Sequence, residues 1–273
     1  RDRRIYSPAN STRRLGSMSQ RFIAAGRSEV GLHRSGNEDS ALINGVLIAV
    51  ADGMGGHAAG EVASKIAIDS LVGLSKVLSD EEIDSDSKED LLLGVIEEID
   101  AELSARSKSH PEYAGMGTTL TALFLNGSDA ELLHVGDSRC YLIKKDKLEQ
   151  LSHDHTVMQE LLDQGRLSPD EVANHPQRSL LTQVLMGTES ISPMLLVKEV
   201  KVGDKFLLCS DGLSSVLSEG EINKVIKNGG DLVVNLIDAV KAAGAPDNVT
   251  IILSEVVDFD TSSSLEKFGA ARG

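Results

Sequence analysis

The chain has 273 residues, of which 42 are acidic and 27 basic, so its formal charge at pH 7 is −15. This charge repels nucleic acid and anionic membranes, and we expect neither as a partner. Hydrophobic residues make up 41% of the chain and charged residues 25%, which is ordinary for a globular protein and excludes disorder of the whole chain.

The apolar stretches and the cysteines indicate the compartment. No apolar stretch approaches the roughly 18 residues of a membrane helix, and the arginine-rich start lacks the apolar segment of a secretory signal. Cys140 and Cys209 lie in apolar runs without CxxC spacing, which is typical of buried thiols in a reducing environment. We therefore expect a soluble, cytoplasmic protein.

The first 20 residues hold five arginines and several serines without apolar periodicity, which predicts a tail or leader. Beyond them, apolar β-branched runs predict strands, and apolar residues at helical spacing predict two amphipathic helices. Capping sequences at 168–171 and 218–221 indicate two further helix starts. The predicted strands are 22–30, 46–50, 120–125, 132–135, 140–143, 206–209 and 249–253, and the predicted helices are 63–78 and 92–103.

The order of these elements favours one domain at 21–258, followed by a C-terminal tail at 259–273. No internal repeat or long low-complexity linker divides the chain. Strand pairs with hairpin-like spacing surround a two-helix segment, and this arrangement favours antiparallel sheets flanked by helices over a doubly wound parallel sheet.

Acidic residues stand at strand ends and in glycine-rich turns along the whole chain. One Asp-Gly pair is an ordinary turn, but carboxylates at the ends of several strands can converge on one cleft. Their mutual repulsion is then costly unless cations neutralise it, and a set of oxygen ligands favours magnesium, manganese or calcium over zinc. The clusters are Asn37-Glu38-Asp39, Ala51-Asp52-Gly53, Gly136-Asp137-Ser138, Ser210-Asp211-Gly212 and Pro246-Asp247-Asn248.

Three other chemistries fit the sequence less well. The histidines show no HExxH spacing and no cysteine cluster accompanies them, which disfavours a zinc hydrolase. The glycine-rich segment 53–61 lacks the Lys-Ser/Thr ending of a phosphate-binding P-loop. Ser138 and Ser210 flank aspartates, but neither lies in the GxSxG turn of a serine nucleophile.

Taken together and in order, these segments resemble the type 2C family of metal-dependent protein serine/threonine phosphatases. The short form, without large insertions, is similar to the bacterial branch. The resemblance spans residues 34–250 and rests on Arg34-Ser35-Gly36-Asn37-Glu38-Asp39, Ala51-Asp52-Gly53-Met54-Gly55-Gly56-His57, Gly117-Thr118-Thr119, His134-Val135-Gly136-Asp137-Ser138-Arg139, Asp154-His155-Thr156, Ser210-Asp211-Gly212 and Asp247-Asn248-Val249-Thr250.

The resemblance implies a fold and a function. The fold would be α+β, a four-layer α-β-β-α sandwich of two antiparallel β-sheets with helices on both outer faces, and a flap at about 154–188 beside the cleft. The function would be hydrolysis of phosphoserine and phosphothreonine in proteins, the substrates of a serine/threonine kinase, in signal transduction. We expect the chain to act as a monomer.

The resemblance also implies the metal ligands, for two core Mn²⁺ or Mg²⁺ ions and a weaker third. Asp52 would bridge the two core ions. The carbonyl of Gly53 and the carboxylates of Asp211 and Asp247 would complete the first site. Glu38 and Asp39 would act mostly through metal-bound waters, and Asp137 would join one core ligand in holding the third cation. The core set is Asp52, the carbonyl of Gly53, Asp211 and Asp247.

For catalysis, the resemblance assigns the substrate phosphate to Arg34, whose guanidinium presents paired donors to phosphate oxygens. A hydroxide bridging the metals would attack phosphorus directly, without a phosphoenzyme. The proton donor to the leaving oxygen is open: Met54 stands where animal relatives have histidine, so a metal-bound water or His57 would serve. Ser215 departs from an aspartate that is frequent in the family, which affects the outer shell of the third cation.

Two further functions are left open by the sequence. One is a phosphopeptide-binding or regulatory module that keeps the fold without catalysis, although every acidic ligand position is retained. The other is an enzyme that acts on a phosphorylated metabolite.

Overall fold

The computed structural model describes residues 20–272, except 57–58, 79, 81–82, 146, 173–174, 176, 178, 188–190 and 259–264. The expected N-terminal tail, apart from Gln20, and His57 therefore lie outside the described residues. None of the helices in the described ranges is long and apolar enough to cross a bilayer.

Twelve strands in the described ranges form two sheets in which neighbouring strands are antiparallel. The strands are β1 (Gln20–Glu29), β2 (Asp39–Ile43), β3 (Leu47–Met54), β4 (Gly117–Thr118), β5 (Leu120–Asn126), β6 (Asp129–Val135), β7 (Arg139–Lys144), β8 (Lys147–Gln150), β9 (Met194–Glu199), β10 (Lys205–Cys209), β11 (Val249–Asp258) and β12 (Glu266–Gly269). The five-stranded sheet has the order β1-β11-β10-β7-β8, and the seven-stranded sheet runs β12-β2-β3-β5-β6-β9, with β4 paired to β3.

The helices confirm the two amphipathic segments and the capping sequences. Ser218 accepts a hydrogen bond from the Glu221 amide, and the Glu221 carboxylate accepts one from the Ser218 amide, which is a complete capping box. The helices are α1 (Ala59–Leu78), α2 (Ser85–Ser109), α3 (Val157–Asp163), α4 (Pro169–Val172), α5 (Asp211–Ser214), α6 (Glu219–Asn228) and α7 (Leu232–Ala242).

Alternation along the strands produces the layers, because successive side chains of a strand point to opposite faces. In β10, Phe206 and Leu208 enter the core between the two sheets, whereas Leu207 and Cys209 pack beneath α5, α6 and α7. In the other sheet, Ile48 of β3 faces the central core and its neighbours pack against α1 and α2. The predicted four-layer α-β-β-α sandwich is confirmed.

The expected C-terminal tail needs a correction. Residues Glu266–Gly269 form β12, which pairs with β2 at the edge of the seven-stranded sheet. Phe268 is buried in the central core, and its ring packs so closely on Gly26 that a Cβ there would overlap it. The segment was assigned to a tail because four residues with one large apolar side chain are too short to show a period.

Contact between β3 and α1 requires glycine on both sides. A Cβ on Gly53 would overlap the carbonyl oxygen of Gly60 and lie 2.6 Å from that of Glu38. A Cβ on Gly60 would lie 2.8 Å from the carboxyl carbon of Glu38. The two glycines thus allow the strand, the helix and the Glu38 loop to meet at the end of β3.

We expect Gly53→Ala to lower the free energy of unfolding by about 1–3 kcal/mol, because backbone atoms must move to admit the methyl group. Gly73→Ala is the matched control: Gly73 lies in α1 with nothing within 4 Å of its Cβ position. There alanine should raise the free energy of unfolding by about 0.5–1 kcal/mol. Urea denaturation measures both, and a Gly53→Ala protein as stable as the wild type would contradict the close approach.

Candidate metal centre

Two of the expected ligands face each other across adjacent strands. Asp39 begins β2 and pairs in register with Asp52 near the end of β3. Asp39 is only 1% exposed, and its Oδ2 accepts a hydrogen bond of 2.8 Å from the hydroxyl of Ser210. Its Oδ1 is buried without a hydrogen-bond partner. Buried oxygens without a hydrogen-bond partner are rare in folded proteins. Such an oxygen indicates either that it binds a ligand or that the fold bears the free-energy cost of burying it.

The third carboxylate comes from the other sheet. Asp211 follows β10 as the first residue of α5, with Ser210 at the N-cap position. Gly212 lies so close to the carbonyl of Asn248 that a Cβ would overlap it, which holds this turn against the start of β11. The carboxyl groups of Asp211 and Asp52 lie close enough to interact electrostatically, so acidic groups of the two sheets meet here.

Asp247 is held by the residue expected to bind substrate. Its Oδ2 accepts a hydrogen bond of 2.7 Å from Nη2 of Arg34, and its Oδ1 accepts one from the Asn248 amide. The Arg34 side chain is 48% exposed and lines the cleft. This ion pair brings the one guanidinium of the expected set next to the carboxylates.

Asn248 orders the loop that carries Arg34 and Glu38. Its Nδ2 donates hydrogen bonds of 2.8 Å to the carbonyls of Val30 and Gly36, and its Oδ1 accepts one of 2.8 Å from the Glu38 amide. Thr119 acts similarly at β3, because its Oγ1 accepts a hydrogen bond from the Asp52 amide. The sequence did not mark Asn248, Thr119 or Ser210 as site residues, although each lies within one of the motifs that carry the family resemblance.

The expected residues converge on one cleft of about 200 Å³. Asp39 does not line this cleft and is buried behind it, in contact with Ser210. Met54 lines the cleft, whereas the exposed Ser215 lines a neighbouring cavity. The expected residues that line the cleft are Arg34, Glu38, Asp52, Gly53, Asp137, Asp211 and Asp247.

Burial and mutual repulsion make these carboxyl groups difficult to ionise. Burial raises the pKa of Asp39 to about 7, with the charges of Asp211 and Asp247 adding to the effect. Burial and then the charge of Asp211 raise the pKa of Asp137 to about 7. The pKa of Asp52 is raised well above its ordinary range by burial and by its acidic neighbours. A positive charge close to the cluster would therefore stabilise the ionised carboxylates.

The donor set fits a hard divalent cation. The groups are carboxylates and a backbone carbonyl, and one buried carboxylate oxygen lacks a partner. Among the described residues, no three acidic, histidine or cysteine side chains already stand in a metal-binding geometry. One carboxylate of the set, that of Asp247, is engaged instead by the guanidinium of Arg34.

The start of the flap is fastened to the loop that carries Asp137. Arg139 donates two hydrogen bonds to Oδ2 of Asp154, at 2.9 Å from Nε and 2.6 Å from Nη2. His155 Nδ1 accepts a hydrogen bond from the Gly136 amide, and the His155 amide donates to the Gly136 carbonyl. Burial and the adjacent His155 lower the pKa of His134 to about 3, so His134 is a neutral structural residue.

The chain is similar in sequence to known phosphatases. The sequence profile described as protein phosphatase 2C matches residues 36–244. The serine/threonine protein phosphatase PstP of Mycobacterium tuberculosis is 41% identical over 241 residues, which cover 86% of this chain and 45% of PstP. This chain thus spans just under half the length of that relative. The serine/threonine phosphatase stp of Listeria monocytogenes is 34% identical, with 84% of this chain and 94% of the relative covered.

Solved structures agree with the sequence comparison. The crystal structure of the Mycobacterium tuberculosis phosphatase PstP/Ppp superimposes with a TM-score of 0.80 at 39% identity, covering 88% of this chain and 100% of that one. A structure of the PstP catalytic domain in complex with two manganese ions gives a TM-score of 0.78 at 38% identity, with the same coverage. The matched profile, the relatives and the shared fold show that this chain belongs to the protein phosphatase 2C family.

Proposed function

We propose that the chain is a phosphatase that depends on divalent cations and hydrolyses phosphoserine and phosphothreonine in proteins. The observation that carries this proposal is the convergence of half-buried carboxylates and one guanidinium on a single cleft. Family membership and the serine/threonine phosphatase activity named for the relatives support it. The expectations of a monomer, a cytoplasmic location and an opposing serine/threonine kinase stay predictions.

The proposed metal ligands are those that the sequence indicated. Asp52 would contact both core cations, the carbonyl of Gly53 and the carboxylates of Asp211 and Asp247 would complete the set, and Glu38 and Asp39 would act through water. Asp137, which adjoins Asp211 in the cleft, would join it at a weaker third cation. Support comes from the unsatisfied oxygen of Asp39 and from the two manganese ions in the PstP catalytic domain. Either Mn²⁺ or Mg²⁺ suits these oxygen ligands.

Arg34 would bind the phosphate group of the substrate. Its Nη2 contacts Asp247, and its exposed donors can form paired hydrogen bonds with phosphate oxygens. Asp247 would then have two roles, because it orients the guanidinium and also belongs to the proposed ligand set. Bound cations would supply the positive charge that stabilises a transferring phosphoryl group and makes water a stronger nucleophile.

We further propose that water attacks phosphorus directly and that no phosphoenzyme forms. The hydroxyl of Ser210 is engaged with Asp39, and that of Thr119 contacts Ser138 and the Asp52 amide. Cys209 is buried, and burial raises the pKa of its thiol to about 12. These side chains are therefore poorly placed to act as covalent nucleophiles. The proton donor to the leaving oxygen stays open, because His57 lies outside the described residues.

Mn²⁺ should raise the melting temperature, and more at pH 8 than at pH 6. The pKa values of Asp39 and Asp137 are about 7 in the fold, compared with about 3.9 when unfolded. The contribution of these two groups to the free energy of unfolding is complete below the pKa of the unfolded state and is lost as the pH rises through the pKa of the folded state. The metal-free protein should therefore lose stability between about pH 4 and pH 7. Cations bind the ionised groups and reverse this loss.

Thermal unfolding with EDTA or MnCl₂ across this pH range measures the effect. A melting temperature that Mn²⁺ does not change at any pH would contradict the proposed centre.

Asp52→Asn and Asp211→Asn should each lower the turnover of p-nitrophenyl phosphate with Mn²⁺ by about a hundredfold or more, because each removes a ligand charge. Asp238→Asn is the control, since Asp238 is exposed on α7, and it should keep full activity.

A panel of phosphoserine and phosphothreonine peptides, sugar phosphates and nucleotides should show preference for the peptides. Unchanged turnover in both variants would refute catalysis at this centre, and preference for a metabolite would refute the protein substrate.

A further inference from the structure

A second cavity, of about 350 Å³, adjoins the metal centre, and we call it the side cavity. It shares three wall residues with the cleft: Asp137, Asp211 and Ser179. A ligand whose phosphate lies in the cleft therefore has an adjacent space open to the atoms next to its phosphorylated residue. The side cavity extends from this shared wall between the flap and the α5–α6 connection.

Apolar side chains from both directions line the side cavity. The flap contributes Met158, Leu162 and Val172, and the α5–α6 connection contributes Val216 and Leu217. Among the described residues, these three flap side chains belong to none of the three hydrophobic cores. Met158 is only 2% exposed, whereas Leu162 and Val172 are half-buried, so the apolar surface that the flap leaves open at the side cavity comes from Leu162 and Val172.

Five of the ten polar side chains that line the side cavity are engaged in hydrogen bonds within the chain. Arg139 and Asp154 form a paired ion bridge, and Arg139 also donates to the hydroxyl of Tyr141. The Thr156 hydroxyl caps α3 by accepting from the amide of Gln159, whose own side chain donates to Asp163. The Ser218 hydroxyl donates to Glu221. Arg139, the one cation of the described lining, is thus paired, whereas Asp137 and Asp211 are acidic, so an anionic ligand group is disfavoured and an apolar group meets an apolar surface.

We infer that the side cavity is a substrate subsite that receives an apolar side chain next to the phosphorylated residue. This inference rests on the proposed phosphatase function. An apolar side chain would remove both itself and the flap residues from water, which is favourable in proportion to the area buried. An aspartate or glutamate there would lose hydration without gaining an unpaired cation, and would face the carboxylates of Asp137 and Asp154.

Phosphothreonine peptides test this inference. In an alanine background, one leucine or one aspartate is placed at each position from two before to two after the phosphothreonine. We expect leucine to exceed aspartate in kcat/KM by about tenfold at one position, a ratio typical of a single hydrophobic contact. Less than a twofold difference at every position would overturn the inference. Turnover of p-nitrophenyl phosphate, measured in parallel, separates this failure from failure of the phosphatase function itself.

Variants on opposite walls locate the selectivity. Leu162→Lys on the flap and Val216→Lys on the α5–α6 connection should each lower the leucine-to-aspartate ratio by about tenfold, because lysine offers aspartate a partner and removes an apolar wall. Val202→Lys is the matched control at an exposed position that lines neither the cleft nor the side cavity, and its ratio should not change. A wild-type ratio in both wall variants would place the preference elsewhere and overturn the inference.

Discussion

Electrostatic repulsion among carboxylates that the fold removes from water is the constraint on which the site depends. Asp39 and Asp52 face each other across β2 and β3, and Asp211 approaches them from the other sheet. Burial and the neighbouring acidic groups raise the pKa of each group, because its ionised form is unfavourable without a counter-charge. A chain selected for stability alone would not keep this cluster, whereas a chain that binds divalent cations needs it.

The sandwich brings these groups together through a few close contacts between the sheets. Ser210, at the end of the five-stranded sheet, donates to Asp39 of the seven-stranded sheet, and Asn248 fastens the loop that carries Glu38. The contact of Gly53 with Gly60 sets the end of β3 against α1. Each contact joins segments that are far apart in the sequence, so the geometry of the centre is a property of the whole fold.

Much of the fold and of the site could be predicted from the sequence. The features that could not be predicted escaped for physical reasons. The continuous apolar run of β10 and the helical period of α1 and α2 predicted antiparallel sheets flanked by helices, because burial leaves a local pattern, and the four layers came from the family resemblance. β12 was missed because its pairing with β2 depends on one buried ring, that of Phe268. The ion pair of Arg34 with Asp247 and the side cavity join distant segments, and no local pattern reports such proximity.

In the proposed function, the cleft binds the charged phosphate group and the side cavity receives an apolar side chain, and catalysis depends on cations held by the carboxylate cluster. Anomalous diffraction from crystals grown with Mn²⁺ tests this claim most directly, because it locates manganese independently of any assumed ligand. We predict at least two anomalous peaks in the cleft, with the carboxylate of Asp52 in contact with both. Peaks confined to surface carboxylates, with none in the cleft, would contradict it.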